Sequence, residues 1–302
     1  MRNWKMGELK ETALKELCHE ARQAALAAGR YIQSQFDKTY IQQRKIGGDS
    51  LASQVVTEVD FRAQEIILDG LQSSFKAHDF GLLTEELTDD HSRFEKDYFW
   101  CIDPMDGTLP YTEQRTGYAV SIALISKEGN PVVGVVYVPD LNICYSAIKG
   151  SGLWVNNELV SYKKKSGSEV TVYMDQSFKS EPYFDLVIDK IDAWALDQSV
   201  EVRYYATYGG VRNAIGVLSA DRGCYFKFPK LSNGCGSIWD YAATRLFFEE
   251  LSLPVSNAKG GNLHLNNPNS TFMNADGILY ATDTQLQELI FDIGKYVTNL
   301  NG

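Results

Sequence analysis

Apolar residues recur at helical spacing in two segments near the N-terminus. Leucine, alanine and isoleucine occupy every third or fourth position from Leu14 to Ile32, which predicts an amphipathic helix over residues 10–36. The same spacing predicts a second helix over Phe61–Phe75. The chain therefore begins with helices that each have one face to bury.

The apolar period then shortens to that of strands. Three segments are short, rich in β-branched and aromatic residues and bounded by turn residues: "YFWCI" (98–102), "YAVSIALIS" (118–126) and "PVVGVVYVP" (131–139). The "KEGN" between the last two predicts a hairpin. A further strand pair or meander is predicted in "NICYSAIKGSGLWVNN". This part of the chain has an α+β pattern.

Strands and helices alternate beyond Val160. Strands are predicted at 169–175, 202–208 and 224–228, and helices at 183–196, at 210–220 and in "SIWDYAATRLFFEEL". Such alternation is typical of an α/β layer. We therefore expect an α+β half, residues 1–160, and an α/β half, residues 161–302, packed tightly as one unit.

Composition narrows the class of partner. Of 302 residues, 44% are hydrophobic and 23% charged, as in a soluble globular protein. The formal charge is −10 and the longest basic run is Lys163–Lys165, for which we expect a solvated loop. A nucleic-acid polymer is therefore a poor partner, and an anionic substrate would need a bound cation to attract it.

The cysteine pattern and the N-terminus indicate a cytoplasmic protein. The five cysteines are an odd number without CxxC spacing, which argues against a disulfide framework and against a zinc site. The N-terminus mixes charges throughout and lacks the apolar segment of a signal peptide. No apolar run reaches the ~18–20 residues of a membrane helix, so no membrane partner is expected.

Acidic residues follow apolar segments at four places. They are Asp60 in "VVTEVD", Glu85 and Glu86 in "LLTEEL", Asp103 and Asp106 in "FWCIDPMDGT", and Asp240 in "IWDYAA". Taken singly, three of these places have a structural explanation: Asp60 as a helix N-cap, the glutamates as a solvated loop, and Asp240 at the positive end of a helix.

Asp103 and Asp106 are harder to explain structurally. Pro104 fixes the backbone between them and Gly107 permits a sharp turn, so both carboxylates are held at one strand end. Like charges so close repel unless a cation lies between them. Several carboxylates with water and phosphate form the oxygen shell that Mg²⁺ prefers, and such sites serve phosphoryl transfer.

Four motifs in this order resemble the inositol monophosphatase family. They are "VVTEVD", "LLTEE", "IDPMDGT" and "IWDYAA", and the family also includes the 3'(2'),5'-bisphosphate nucleotidases and, more distantly, the fructose-1,6-bisphosphatases. The resemblance spans Asp60 to Asp240 and extends weakly to "GILYATDTQLQELI", which is similar to the family's closing strand and helix. It implies a layered αβαβα sandwich and a phosphatase that binds two or three Mg²⁺ ions and is inhibited by Li⁺.

The resemblance also implies roles for single residues. Glu85 and Asp103, with the Met105 carbonyl, are expected to bind one metal ion. Asp103, Asp106 and Asp240 are expected to bind a second.

The catalytic residues implied by the resemblance are Asp60, Glu85 and Thr108. Thr108 and Asp60 would orient the attacking water, with Glu85 close by. The substrate-binding residues are expected to be Asp106, Gly107, Thr108, Gly209, Gly210, Lys227 and Lys230. Of these, Gly107 and Thr108 would meet the phosphate through their N–H groups.

Departures from the family pattern concern the substrate. Leu109 and Pro110 replace an Asn-Phe pair, and Gly209-Gly210 replaces a Gly-Ser pair. Where inositol phosphatases carry an acid, this chain has "YFKFPKLSNGCGSIWD". Its "FPK" resembles the Pro-basic pair of the nucleotidases, although the segment is longer than theirs. A lysine there suits a second phosphate, and the alternative is that Lys227 and Lys230 are surface residues.

The sequence thus predicts a Mg²⁺-dependent phosphomonoesterase acting on a small phosphorylated metabolite. A 3'(2'),5'-bisphosphate nucleotide is slightly preferred over an inositol monophosphate. A non-catalytic protein that binds phosphometabolites is the alternative from another class, although every expected metal ligand is in place. A glycosidase with paired carboxylates ranks last because it has no use for the Gly-Thr turn. Monomers and homodimers both occur in the family.

Overall fold

Two large β-sheets alternate with three helical layers in the computed structural model of the protein, which describes residues 9–36, 42–44, 55–162 and 167–300. The short strands Gln42–Arg44 and Val55–Thr57 form a separate two-stranded antiparallel sheet. Three separate hydrophobic clusters fill the spaces between the layers. This is the αβαβα sandwich that the resemblance implied. The basic run Lys163–Lys165 lies outside the described residues.

The helices and strands have the following bounds. The helices are α1 (Glu11–Gln35), α2 (Glu58–Gly70), α3 (Gln72–Ala77), α4 (Thr108–Thr112), α5 (Phe184–Gln198), α6 (Gly210–Ser219), α7 (Ile238–Glu250) and α8 (Thr284–Leu300). The strands are β1 (Gln42–Arg44), β2 (Val55–Thr57), β3 (Gly81–Thr84), β4 (Tyr98–Asp106), β5 (Ala119–Ser126), β6 (Pro131–Val138), β7 (Ile143–Ile148), β8 (Leu153–Val155), β9 (Glu158–Leu159), β10 (Glu169–Tyr173), β11 (Glu201–Tyr205), β12 (Gly223–Lys227), β13 (Val255–Ser256) and β14 (Ile278–Ala281).

The two large sheets follow one another along the chain. The first has seven strands in the order β3-β4-β5-β6-β7-β8-β9, antiparallel except for the parallel pair β3–β4. The second has five strands in the order β11-β10-β12-β14-β13, with β10 parallel to both neighbours. The last strand of the first sheet ends at Leu159, and the first strand of the second sheet begins at Glu169.

Alternate side chains along the strands of each sheet pack into different hydrophobic clusters on its two faces. Along β5, Val120 and Ile122 face the layer of α1 and α2, whereas Ala119 and Ala123 face the middle layer of α6 and α7. In the second sheet, Tyr225 faces the same middle layer while its neighbours on β12 face α5 and α8. Both faces of each sheet are covered, which explains why these strands read as almost continuous apolar runs.

Several predicted elements end at other residues than expected. The second helix begins at Glu58 and ends at Gly70 rather than running from Phe61 to Phe75, and α3 follows it. A Cβ on Gly70 would lie 2.9 Å from the Cβ of Ala24, so this glycine allows α2 to approach α1 closely. The predicted strand 202–208 ends at Tyr205, and the chain then leaves the sheet.

Within the described residues, no helix combines the length and the apolar composition needed to cross a membrane.

A buried arginine ties two distant segments together. Arg93 is only 2% exposed, and its guanidinium donates to Asp89 Oδ2 at 2.8 Å, to Asn266 Oδ1 at 2.6 Å and to the Asn267 carbonyl at 3.1 Å. It therefore joins the segment before β4 to the segment before β14. A buried charge is tolerated because each of these groups satisfies part of it.

We expect Arg93→Met to lower the free energy of unfolding by about 3–5 kcal/mol, because it leaves a largely buried carboxylate without its cation. Urea denaturation measures this change. The matched control is Arg203→Met, whose ion pair with Glu169 is exposed and should contribute less than about 1 kcal/mol. Equal losses in the two variants would contradict a structural role for the Arg93 cluster.

Candidate active site

A β-bulge brings Asp103 and Asp106 to the same face of β4. Residues three apart on a regular strand point to opposite faces. Here Asp103 pairs with Ser121 and Asp106 pairs with Ala119, so three residue steps on β4 oppose two on β5. Pro104 lies within this irregularity, where its lack of an N–H costs no ladder hydrogen bond. Both carboxylates therefore point toward the middle helical layer.

Glu85 reaches the same place from the neighbouring strand. It follows β3, which runs parallel to β4 with Thr84 opposite Ile102. The Glu85 N–H donates to the Ile102 carbonyl at 3.2 Å. Carboxyl ends of parallel strands meet at one sheet edge, so Glu85 emerges beside Asp103.

Asp240 comes from the first turn of α7. It forms a capping box with Ser237, whose backbone N–H donates to Asp240 Oδ2 at 2.9 Å. A Cβ on Gly236 would lie 2.2 Å from that oxygen, so a glycine is required for this approach. The capping box therefore holds the Asp240 carboxylate in place and also satisfies N–H groups at the start of α7.

The three aspartates form a tight cluster. Asp103, Asp106 and Asp240 each offer a carboxylate oxygen, and these oxygens lie within 4.8 Å of one another. Burial, and then repulsion from Glu85 and the other aspartates, raises the pKa of Asp103 well above its usual range. Burial also raises the pKa of Asp240 to about 6, although the Lys227 charge opposes this shift.

This donor set fits a divalent metal ion. Three hard oxygen ligands converge, and their mutual repulsion is the electrostatic imbalance that a cation removes. Glu85 lines the same cavity, which has a volume of about 120 Å³. Its carboxylate is not part of the three-residue cluster, but it repels both Asp103 and Asp240.

Asp106 also caps helix α6. Its Oδ1 accepts the N–H of Gly210 at 2.8 Å, and its Oδ2 accepts the N–H groups of Val211 and Arg212 at 2.9 and 3.4 Å. Burial and the charge of Asp240 raise the pKa of Asp106 well above its usual range, and these N–H groups oppose the shift. A carboxylate at a helix N-terminus is also favoured by the helix dipole.

Most of the residues predicted from the sequence line this one cavity. The lining residues include Glu85, Asp103, Met105, Asp106, Gly107, Thr108, Gly209, Gly210, Lys227 and Asp240. The Thr108 hydroxyl donates to the Met105 carbonyl at 3.2 Å. Asp60 and Lys230 do not line it: Asp60 is buried in the first turn of α2, and Lys230 lines a neighbouring cavity.

Both predicted lysines form ion pairs. Lys227 Nζ lies 2.5 Å from Asp175 Oδ2, and Lys230 Nζ lies 3.3 Å from Glu181 Oε1. Burial opposes the Lys227 charge, but the attraction of Asp175 outweighs it and the pKa of Lys227 is raised. Lys227 is thus a charged residue with a partner, neither a surface residue nor an isolated cation.

Sequence reasoning missed Asp175 and the wall of the cavity. Asp175 lies two residues after the end of β10, so the signal was an acid at a strand end, the same pattern that identified Asp103. Thr207, Trp239 and Phe272 also line the cavity. No sequence signal distinguishes Trp239 from a core tryptophan.

Comparisons with known proteins agree with the geometry. Residues 13–295 match the model of the inositol monophosphatase family. The chain is 33% identical over 150 residues to a fructose-1,6-bisphosphatase/inositol-1-monophosphatase of Aquifex aeolicus, which covers 50% of this chain and 54% of that protein. It is 38% identical over 96 residues to the 3'(2'),5'-bisphosphate nucleotidase CysQ of Shigella flexneri, which covers 32% of this chain and 38% of that protein. The matched segments thus span about half, or less, of these relatives.

A solved structure has the same fold. The extragenic suppressor protein suhB of Bartonella henselae superposes with a TM-score of 0.71 at 22% identity, covering 94% of this chain and 98% of that one.

We expect Gly209→Ala to weaken the site. Its Cβ would lie 2.4 Å from Asp106 Oδ2, so Asp106 would have to leave the α6 N-terminus. The stabilisation of the protein by Mg²⁺, measured as a rise in Tm, should fall by more than half. Gly210→Ala is the control, because its Cβ would approach no heavy atom closer than 3.4 Å. A loss in the control as large as in Gly209→Ala would contradict the steric argument.

The metal-free protein should become less stable as the pH rises from about 4 through about 6. The carboxyls of the cluster have native pKa values above the ordinary 3.8, so the native state binds more protons and the free energy of unfolding falls with pH. Tm between pH 4.5 and 7.5 measures this slope. Asp240→Asn should flatten it, and Mg²⁺ should raise Tm more at pH 7 than at pH 5. An unchanged slope in the variant would exclude the cluster as its source.

Proposed function

The chain belongs to the inositol monophosphatase family, and we propose that it is a Mg²⁺-dependent phosphomonoesterase that hydrolyses a small phosphorylated metabolite. The observation that carries this proposal is the convergence of three carboxylates within 4.8 Å in a cavity. Buried carboxylates crowded in this way suit a divalent cation better than any purely structural use.

The proposal assigns the metal ligands to the strand ends and to α7. Glu85 and Asp103, with the Met105 carbonyl, would hold one ion, and Asp103, Asp106 and Asp240 would hold another, with two or three ions in all. When bound, Mg²⁺ would neutralise phosphate charge and lower the pKa of a water molecule. The backbone N–H groups that already bond to Asp103, Asp106 and Asp240 would keep these side chains in place, so little rearrangement is needed.

The phosphate and the attacking water are assigned to the turn after β4. Gly107 adopts φ 86° as the N-cap of α4, and both Gly107 and Thr108 line the cavity. Their backbone is proposed to bind the phosphate. Thr108 and Glu85 are proposed to orient the water, with Asp60 as the positioning partner of Thr108. The bulge supports this assignment because it aims the turn and both aspartates at one point.

Two substrate classes have specific support. A 3'(2'),5'-bisphosphate nucleotide is supported by a lysine in the cavity, Lys227, and by similarity to CysQ. An inositol monophosphate is supported by Asp175, an acid that lines the cavity and pairs with that lysine. Similarity to the Aquifex protein also supports it. A non-catalytic phosphometabolite-binding protein is the alternative from another class.

We expect release of inorganic phosphate from adenosine 3',5'-bisphosphate or inositol 1-phosphate with Mg²⁺, and inhibition by Li⁺. Asp103→Asn should lower kcat/KM by at least about 10²-fold, since even residues that only support metal ligands cost up to that much. Asp292→Asn, an exposed carboxylate on α8, should leave it unchanged. Binding of Mg²⁺ without release of phosphate from either compound would favour the non-catalytic alternative.

A further inference from the structure

An ion pair lines the same cavity as the aspartate cluster and lies outside that cluster. Lys227 and Asp175 lie 2.5 Å apart at 13% and 25% exposure, and both line the cavity. They follow directly from the sheet: β10 and β12 are parallel neighbours with Tyr173 opposite Tyr225. Asp175 and Lys227 therefore emerge from adjacent strands at the same edge.

Neighbouring side chains fix Asp175 further. Its Oδ1 accepts the Tyr225 hydroxyl at 2.8 Å and the Asn213 amide at 3.2 Å, while Oδ2 faces Lys227. A carboxylate has about four acceptor positions, so about one is left. Lys227 donates to Asp175 and to the Tyr241 hydroxyl, so one of its three protons is left. The pair thus presents one acceptor and one donor side by side.

We propose that Asp175, held in place by Lys227, Tyr225 and Asn213, selects the leaving group of the substrate: it accepts a hydroxyl hydrogen bond and rejects a second phosphate at this position. This inference rests on the proposed function, because the leaving group is defined by the phosphoester that the aspartate cluster would cleave. A hydroxyl can donate to Asp175 and accept from Lys227, which matches the pair that the cavity offers.

The charges around the cavity argue against a second phosphate there. Lys227 is the only cationic side chain among the described residues that line the cavity, and Asp175, which is not one of the proposed metal ligands, already pairs with it. A second phosphate could accept the remaining Lys227 proton only beside the Asp175 carboxylate, whose like charge repels it. Separating the pair to avoid this repulsion would leave Asp175 without its cation, which is costly. Lys230 cannot substitute while it pairs with Glu181 in the neighbouring cavity.

Two matched pairs of substrates test the proposal. Inositol 1-phosphate and cyclohexyl phosphate differ only in the hydroxyls of the leaving ring. Adenosine 3',5'-bisphosphate and adenosine 3'-monophosphate differ only in the second phosphate. The kcat/KM of each compound is measured with Mg²⁺ for the wild type and for Asp175→Asn, Lys227→Met and Glu181→Gln.

The wild type should favour inositol 1-phosphate over cyclohexyl phosphate by about 10-fold or more, and should not favour the bisphosphate over the monophosphate. Asp175→Asn should lower kcat/KM for inositol 1-phosphate by about 10- to 100-fold and change cyclohexyl phosphate by less than about 3-fold. It should also raise the ratio of bisphosphate to monophosphate by about 10-fold or more, because Lys227 is then free to bind a phosphate.

The other two variants test whether the change in substrate preference arises at the Asp175–Lys227 pair. Lys227→Met should lower kcat/KM for inositol 1-phosphate without raising the bisphosphate ratio, and it keeps the test decisive if Asp175→Asn folds poorly. Glu181→Gln frees Lys230 in the neighbouring cavity and should leave both ratios within about 3-fold of the wild type.

Two outcomes would overturn the proposal: a wild type that favours the bisphosphate, or variants of Asp175 and Lys227 that change all four compounds equally. Absence of phosphate release from every compound would instead count against the proposed function. Equilibrium binding of inositol with Mg²⁺ and phosphate then decides about Asp175: at least about 10-fold weaker binding in Asp175→Asn supports the selection, and equal binding refutes it.

Discussion

The site depends on the repulsion among carboxylates that are crowded at the end of one buried strand. Asp103 and Asp106 are almost completely buried, and Asp240 approaches both within 4.8 Å. In isolation such an arrangement would push the strand end apart or hold its protons. It persists because each carboxylate also accepts a backbone N–H: from Met105, from the start of α6, and from Ser237. These backbone N–H groups hold the carboxylates in position, and the negative charge that remains is available to bind a cation.

The layer order determines which backbone groups are available. The middle layer lies between the two sheets, so α6 and α7 can direct their N-termini at the ends of β4 and at the second sheet. Asp106 joins the first sheet to α6, and Lys227, at the end of β12 in the second sheet, faces Asp240 on α7. The site is therefore built from both predicted halves of the chain. Arg93 and its partners from the two halves add a second connection away from the site.

Local sequence patterns predicted the elements, and the motifs predicted the cluster. The alternation in β5 and the helical spacing in α1 are local signals, and the structure confirms both elements. The DPxDGT motif, whose proline and glycine constrain the turn, indicated that two aspartates share one strand end. Contacts between distant segments were not predictable in this way. Nothing near Asp106 in the chain shows that it caps α6, and nothing near Lys227 shows that Asp175 neutralises it.

The lysine illustrates why residue type alone is a weak guide to substrate. Read from the sequence, Lys227 is a cation in the region where inositol phosphatases have an acid, which favours a second phosphate. In the fold, the parallel register of β10 and β12 gives that cation an acidic partner. The position then carries nearly no net charge but keeps a donor and an acceptor, so it distinguishes hydroxyls from phosphates. Removing only one partner of a buried ion pair is costly, so Asp175 and Lys227 act as a unit. The strand register that places them together therefore determines what this part of the cavity can recognise, more than the identity of either residue does.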